Sequence, residues 1–190
     1  MDFGVLTLET VDVKLKQAVE EAPNAPLDKE EYENFVADLE NASSLLILGD
    51  NAGEIVFDTL LVKQLQARFP TLKITYCVRG GNCLNDATWE DAKMTGMDKL
   101  VRVIDNGTNI SGTELAYIGE ELRSALAEAD VILAKGQANF ETMAGCGYPI
   151  YYNFFCKCER LCKILHKPLF TGMFLYEKRL GKVDPFPANT

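Results

Sequence analysis

The chain has 190 residues, 47% hydrophobic and 25% charged, and its 19 Lys and Arg against 28 Asp and Glu leave a net charge of −9. That size supports one domain with a substantial core. The acid excess excludes the clustered basic surface that nucleic acid needs and disfavours an anionic membrane, while a small anionic substrate is compatible if a bound cation supplies positive charge locally.

Residues 1–42 read as an amphipathic helical lead-in, with Asp28 and Glu31 suited to a helix start and Tyr32, Phe35, Val36 and Leu39 forming one stripe. The acidic residues of MDFGVLTLETVDVK stand where a secretory signal would be basic, and no apolar run is long enough to span a bilayer. A cytoplasmic protein is expected, and its six cysteines read as free thiols.

From residue 44 the chain alternates strand and helix. Leu45–Leu48 is a short aliphatic run, buried on both faces, that stops at Gly49, where Asp50 and Asn51 take over. Gly53 lets the chain turn into a helical pattern carrying Leu61, Leu65 and Phe69, broadened by Leu60 and Val62. Leu72–Val78 is a second strand; the loop RGGNCLNDAT then places Asp86 before a helix that starts near Thr88, with Thr88 and Asp91 in capping positions. A third strand, Leu100–Ile104, leads into DNGTNISGTE, where Ser111 and Glu114 have capping-box spacing and Leu115, Ile118, Leu122 and Leu126 form a helical stripe. A fourth, Asp130–Ala134, delivers Lys135 and GQANFE, and a fifth, Pro149–Phe154, delivers Lys157 among cysteines. Residues 166–190 read as a C-terminal tail.

No repeat, low-complexity tract or linker marks a second domain, so a single α/β domain over residues 1–190 is expected. The repeated βα units predict a three-layer α/β/α fold with a mostly parallel, Rossmann-like sheet and all the distinctive polar loops on one rim.

On that rim Asp50, Asn51 and Asp86 supply three oxygen donors from two loops 86 − 50 = 36 residues apart. Mg²⁺ and Mn²⁺ take such donors, and one or two carboxylates suffice where phosphate oxygens complete the shell. The same residues also serve as ordinary loop residues, capping a helix and turning the chain. Lys135 and Lys157 stand at strand ends, where lysine either holds a phosphate as a point charge or is simply solvated. Glu54 and Asn139 suit hydrogen bonds to substrate or to water near a metal, or helix caps, and Asn85 beside Asp86 is a further candidate substrate contact. Cys156, Cys158 and Cys162, with Cys146 as a fourth, would suit a soft metal, or else are buried thiols at a strand-to-helix junction.

Other mechanisms are absent from the sequence. A single histidine, His166, leaves no multi-histidine metal site, and there is no P-loop and no strand-adjacent G-x-G-x-x-G. No cysteine has arginine six positions on, and no Asp-x-Asp begins at Asp50.

GDNAGEIVFD (Gly49–Asp58), RGGNCLNDATWEDA (Arg79–Ala92) and KGQANFET (Lys135–Thr142) together resemble the metal-dependent damage-control phosphatases, particularly their prokaryotic cysteine-containing branch, with weaker agreement through VIDNGTNISGTEL to Lys157-Cys158. The resemblance covers about residues 45–162. It implies an α/β/α fold, a divalent Mg, Mn, Co or Ni ion on Asp50, Asn51 and Asp86, and hydrolysis of phosphate monoesters of small metabolites such as sugar phosphates. It further implies that Asp50 and Asp86 act in catalysis with Lys157 on the phosphate, and that Glu54 and the 136–141 loop, Asn139 and Glu141 included, face the substrate. Prokaryotic relatives usually carry a longer N-terminal helical region, so a second copy or a partner chain completing the site is expected, and Phe155 replaces a lysine that relatives tend to carry. Two alternatives from other classes are a non-catalytic metal- or metabolite-binding module, and a nucleotide- or S-adenosylmethionine-dependent enzyme in which Asp50 or Asp105 holds a ribose.

Overall fold

A computed structural model describes Lys16, Glu20 and residues 27–180; the rest of the lead-in and of the tail lies outside the described residues. Among the described residues six strands form one sheet: β1 (Ser44–Leu48), β2 (Lys73–Val78), β3 (Arg102–Asp105), β4 (Val131–Lys135), β5 (Ile150–Phe155) and β6 (Gly172–Tyr176). Their order is β3-β2-β1-β4-β5-β6, parallel throughout except for β6, which runs antiparallel to β5. Both faces of β1 are buried because the aliphatic run has a side chain to offer each layer. Leu45 and Ile47 enter one core with Phe35, Val62 and Tyr76, while Leu46 and Leu48 enter the other with Leu122, Phe140 and Tyr152.

Among residues 27–180 six helices cover the two faces: α1 (Lys29–Asn41), α2 (Glu54–Arg68), α3 (Trp89–Thr95), α4 (Glu120–Glu128), α5 (Gln137–Met143) and α6 (Glu159–Ile164). The first three contribute to the core of Leu45 and the last three to that of Leu46. The predicted three-layer α/β/α arrangement is therefore what the chain forms. Since the connection after β1 goes to β2 on one side while β4 pairs with β1 on the other, the strand order reverses at β1/β4. In open sheets that reversal opens a ligand crevice at the carboxyl ends of the two strands.

Local chemistry sets most helix ends. Asp28 caps α1 by accepting the Glu31 N–H at 3.1 Å, and Thr88 with Asp91 closes a capping box on α3. Three predicted features differ. The α2 stripe keeps the expected Val62 and Leu65, with Leu61 and Phe69 partly buried against the same core, but adds Ile55, Asp58 and Thr59, and Leu60 faces outward. The Ser111–Glu114 pair does not begin a helix: Gly107 and Gly112 take left-handed φ of 75° and 76°, and α4 starts only after Gly119, whose N–H bonds Asn106 O at 2.9 Å. Part of the expected tail is β6, and Arg179 beyond it reaches back to Glu31 of α1 at 2.7 Å.

Phe140 of α5 is fully buried, stacked 4.7 Å from Phe154 and edge-on to Tyr152 at 5.0 Å. Its position in α5 sets the position of the neighbouring Asn139. Phe140→Ala should cost about 3–5 kcal/mol of unfolding free energy, seen as a lower urea midpoint at unchanged slope.

Candidate active site

The two acidic loops are joined by main chain. Asn51 and Asp86 form an isolated antiparallel bridge, Ala52 N–H donates to Asn85 O at 2.8 Å, and Ala87 N–H donates to Asp50 O at 2.7 Å. Backbone pairing therefore brings Asp50, Asn51 and Asp86 together, although their carboxylates repel. Asp86 is then fixed from behind: Arg79, at the end of β2, donates through Nε to Asp86 Oδ2 at 2.7 Å and through a terminal nitrogen to Gly112 O, with both side chains buried. Gly136 has φ 86°, and a Cβ there would fall 2.2 Å from the Asp50 carboxyl carbon, so only glycine lets that carboxylate lie against the start of α5.

A second network runs from the core to Asp50. Tyr76 Oη donates to Asp58 Oδ2 at 2.7 Å, and Lys135 Nζ donates to Asp58 Oδ1 at 2.7 Å and to Glu54 Oε2 at 3.1 Å. Asn51 Nδ2 then donates to Glu54 Oε1 at 3.2 Å and to Asp50 Oδ2 at 2.9 Å. With its NH₂ so engaged, Asn51 has its carbonyl oxygen free to act as a ligand. Burial opposes the charges on Lys135 and Glu54, but each is outweighed by the partner charge: Lys135 lies above the ordinary lysine value and Glu54 below the ordinary glutamate value.

Asp50 is the frustrated member. Burial first, then Glu54 and Asp86, push its carboxyl up to about 6, with Lys157 and Lys135 pulling the other way. It faces a crevice of about 210 Å³ shared with Glu54, Lys135, Gln137 and Lys157. Lys157 is exposed, and its backbone N–H donates to Gln137 Oε1 at 2.7 Å, while Gln137 Nε2 donates to Glu141 Oε1 at 2.7 Å.

The sequence-derived candidates thus divide. Asp50, Asn51, Glu54, Lys135 and Lys157 meet around the crevice, with Asp86 within electrostatic reach of Asp50. Three of the expected substrate contacts carry hydrogen bonds within the protein. Lys135 is held by two carboxylates rather than presented as a free phosphate ligand, and Glu141 holds Gln137. Asn139 is buried, its Nδ2 donating to Gly49 O and Lys135 O and its Oδ1 accepting from Thr113, so it braces β1 against β4. Asn85 is exposed and contributes its backbone carbonyl to the loop pairing.

Asp58, Tyr76 and Arg79 were not anticipated, and Gln137 was anticipated only as part of the 136–141 loop. Asp58 carried a signal, since it is a charge within the buried side of α2, one turn after Glu54. Among the described residues no group of three or more His, Cys, Asp or Glu is placed to hold a metal. Two carboxylates and the Asn51 amide are oxygen donors of the kind a hard cation takes, and burial first, then the charges of Glu54 and Asp86, raises Asp50.

Fold and site define a mostly parallel α/β protein with a crevice lined by Asp50, Glu54, Lys135 and Lys157 at the reversal of strand order. The chain belongs to the family of the damage-control phosphatase ARMT1-like domain, whose description matches residues 1–171. It is 33% identical over 165 residues to the uncharacterized protein MJ0202 of Methanocaldococcus jannaschii, covering 84% of this chain and 53% of that protein. With a protein of Archaeoglobus fulgidus named damage-control phosphatase it shares 40% over 125 residues, covering 65% and 43%. With the damage-control phosphatase PH1575 of Pyrococcus horikoshii it shares 32% over 155 residues, covering 81% and 54%. The crystal structure of PH1575, a DUF89 family protein, superposes with a TM-score of 0.80 at 31% identity over 93% of this chain and 61% of that one. The chain spans about half the length of these curated relatives.

The Asp50 value gives a stability prediction with a definite sign. A carboxyl raised from 3.8 to about 6 holds its proton more tightly folded than unfolded, so the folded state loses stability as pH rises through that window. In metal-free protein Asp50→Asn should raise Tm at pH 8, by a free energy of at most about 3 kcal/mol, with the gain vanishing below about pH 4. Differential scanning calorimetry at the two pH values reads both.

Proposed function

We propose that this chain is a divalent-metal-dependent phosphatase acting on phosphate monoesters of small metabolites, sugar phosphates among them. The observation that carries the reading is the Asp50 carboxylate, crowded by Glu54 and Asp86 and faced by Lys157 in a crevice at the β1/β4 reversal. Two relatives bear the name damage-control phosphatase, which supports it.

Asp50, Asn51 and Asp86 would hold Mg²⁺, Mn²⁺, Co²⁺ or Ni²⁺. When bound, the ion supplies polarisation of the phosphoryl group and neutralises charge that develops on it. The rest is the work of this chain's residues. Lys157 binds a phosphoryl oxygen as a point charge from the opposite side of the crevice. Arg79 holds the Asp86 carboxylate in place through its Nε bond. Glu54, itself held by Lys135, fixes the Asn51 amide so that its carbonyl faces the site. Water rather than Asp50 attacks phosphorus, releasing the alcohol and inorganic phosphate. A crevice of about 210 Å³ fits a phosphoryl group with a small organic part.

The test is phosphate release from p-nitrophenyl phosphate and a sugar-phosphate panel, with chelator or with each of the four metals. Asp50→Ala and Asp86→Ala should each lose roughly 10²-fold or more in turnover. Lys157→Met should raise KM while Tm is unchanged. Folded protein whose Tm rises with metal but which releases no phosphate from any substrate would overturn catalysis by this chain.

A further inference from the structure

Cys156 follows the last residue of β5 and Cys162 lies on α6, and their sulfurs approach to 2.8 Å. Both are free thiols, buried, and within about 1 Å of bonding distance. Each is held there by main chain. Cys156 N–H donates to Thr171 O at 2.9 Å and its carbonyl accepts from Phe170 at 2.8 Å, anchoring it beside β6. A Schellman closure ends α6: His166, at φ 52°, donates to Lys163 O at 3.3 Å and Lys167 donates to Cys162 O at 2.9 Å.

The two thiols are unequal. Cys162 lines an open cavity of about 420 Å³ with Glu159, Lys163, His166 and Lys167, whose two lysines against one carboxylate make the mouth attractive to an anionic reagent in a chain of net charge −9. Cys156 is fully enclosed, and burial, with Cys162 adding to it, pushes its thiol up to about 12. A soft metal fits this cluster poorly. The described residues offer no triad of His, Cys, Asp or Glu placed for one, and Cys146 lies instead beside Tyr152 and Glu177.

We propose that Cys156 and Cys162 are a redox modification site, closed to a disulfide by a small-molecule disulfide, and that closure loosens the Lys157 segment. Cys162 thiolate attacks one sulfur of the reagent and expels the first thiol, leaving a mixed disulfide. Cys156, giving its proton to solvent, then attacks the Cys162 sulfur and expels the second thiol. The two cysteines are oxidised by two electrons and the reagent is reduced to two thiols. Closing the remaining gap draws Cys156 toward α6, and the bond from the next residue, Lys157 N–H to Gln137 Oε1 at 2.7 Å, is lost. Any effect on turnover rests on the phosphatase reading; the bridge and the movement do not.

The experiment uses the full chain, reduced and then incubated with glutathione disulfide, followed by non-reducing peptide mapping and amide hydrogen exchange by mass spectrometry. Expected are a Cys156–Cys162 linked peptide, faster exchange at the Lys157 amide in the oxidised protein, and reversal of both by dithiothreitol. Cys162→Ser and Cys156→Ala, each treated with the same reagent, should leave the Lys157 exchange at its reduced rate. Absence of the linked peptide, a glutathione adduct that persists on Cys162, or a linked peptide with unchanged Lys157 exchange would each overturn the proposal. Neither readout uses phosphate release, so failure here and failure of the phosphatase reading are distinct.

Discussion

The pairing of the residue 50–52 segment with the residue 85–87 segment is the constraint on which the site depends. Carboxylates at Asp50 and Asp86 would separate if only side chains placed them, but the Asn51–Asp86 bridge and its flanking N–H to O bonds hold their backbones in register. That pairing is possible because β1 and β2 are neighbours in the sheet and end level with each other, Leu48 opposite Cys77. Burial of aliphatic side chains on both faces of β1 thus fixes, two residues later, where negative charge accumulates.

Behind that charge lies an ordered set of compensations. Arg79 offsets Asp86, and Lys135 offsets Glu54 and Asp58, with Tyr76 completing the Asp58 shell. Buried ions persist when paired and hydrogen-bonded, and removing one member leaves the other exposed to the full desolvation penalty. Asp50 accepts from the Asn51 amide, and burial first, then Glu54 and Asp86, push its carboxyl up to about 6; burial raises Asp58 as well. A site poised in this way gives up stability in its empty state, as functional sites commonly do.

The sequence carried the sheet well and the site in part. Five strands were legible because the aliphatic runs are long enough to be buried on both faces, and the polar residues that follow them identify the functional rim. β6 was not, because GMFLY follows Pro168 and the left-handed Phe170 and sits at an antiparallel edge. The late start of α4 was hidden by a capping-box spacing that the left-handed Gly112 makes unusable. Lys135 read as a free cation because its partners lie 81 and 77 residues away on α2, and no local pattern announces such pairs. The same holds for Asn139, whose bond to Gly49 spans 90 residues.

The most direct measurement is the Mn²⁺ affinity of the intact protein by calorimetric titration between pH 5 and 8. A single site whose affinity falls steeply as pH drops below about 6, where Asp50 takes up its proton, is the predicted result. Binding that is independent of pH across that range, or no binding at all, would contradict a cation site built on Asp50, Asn51 and Asp86.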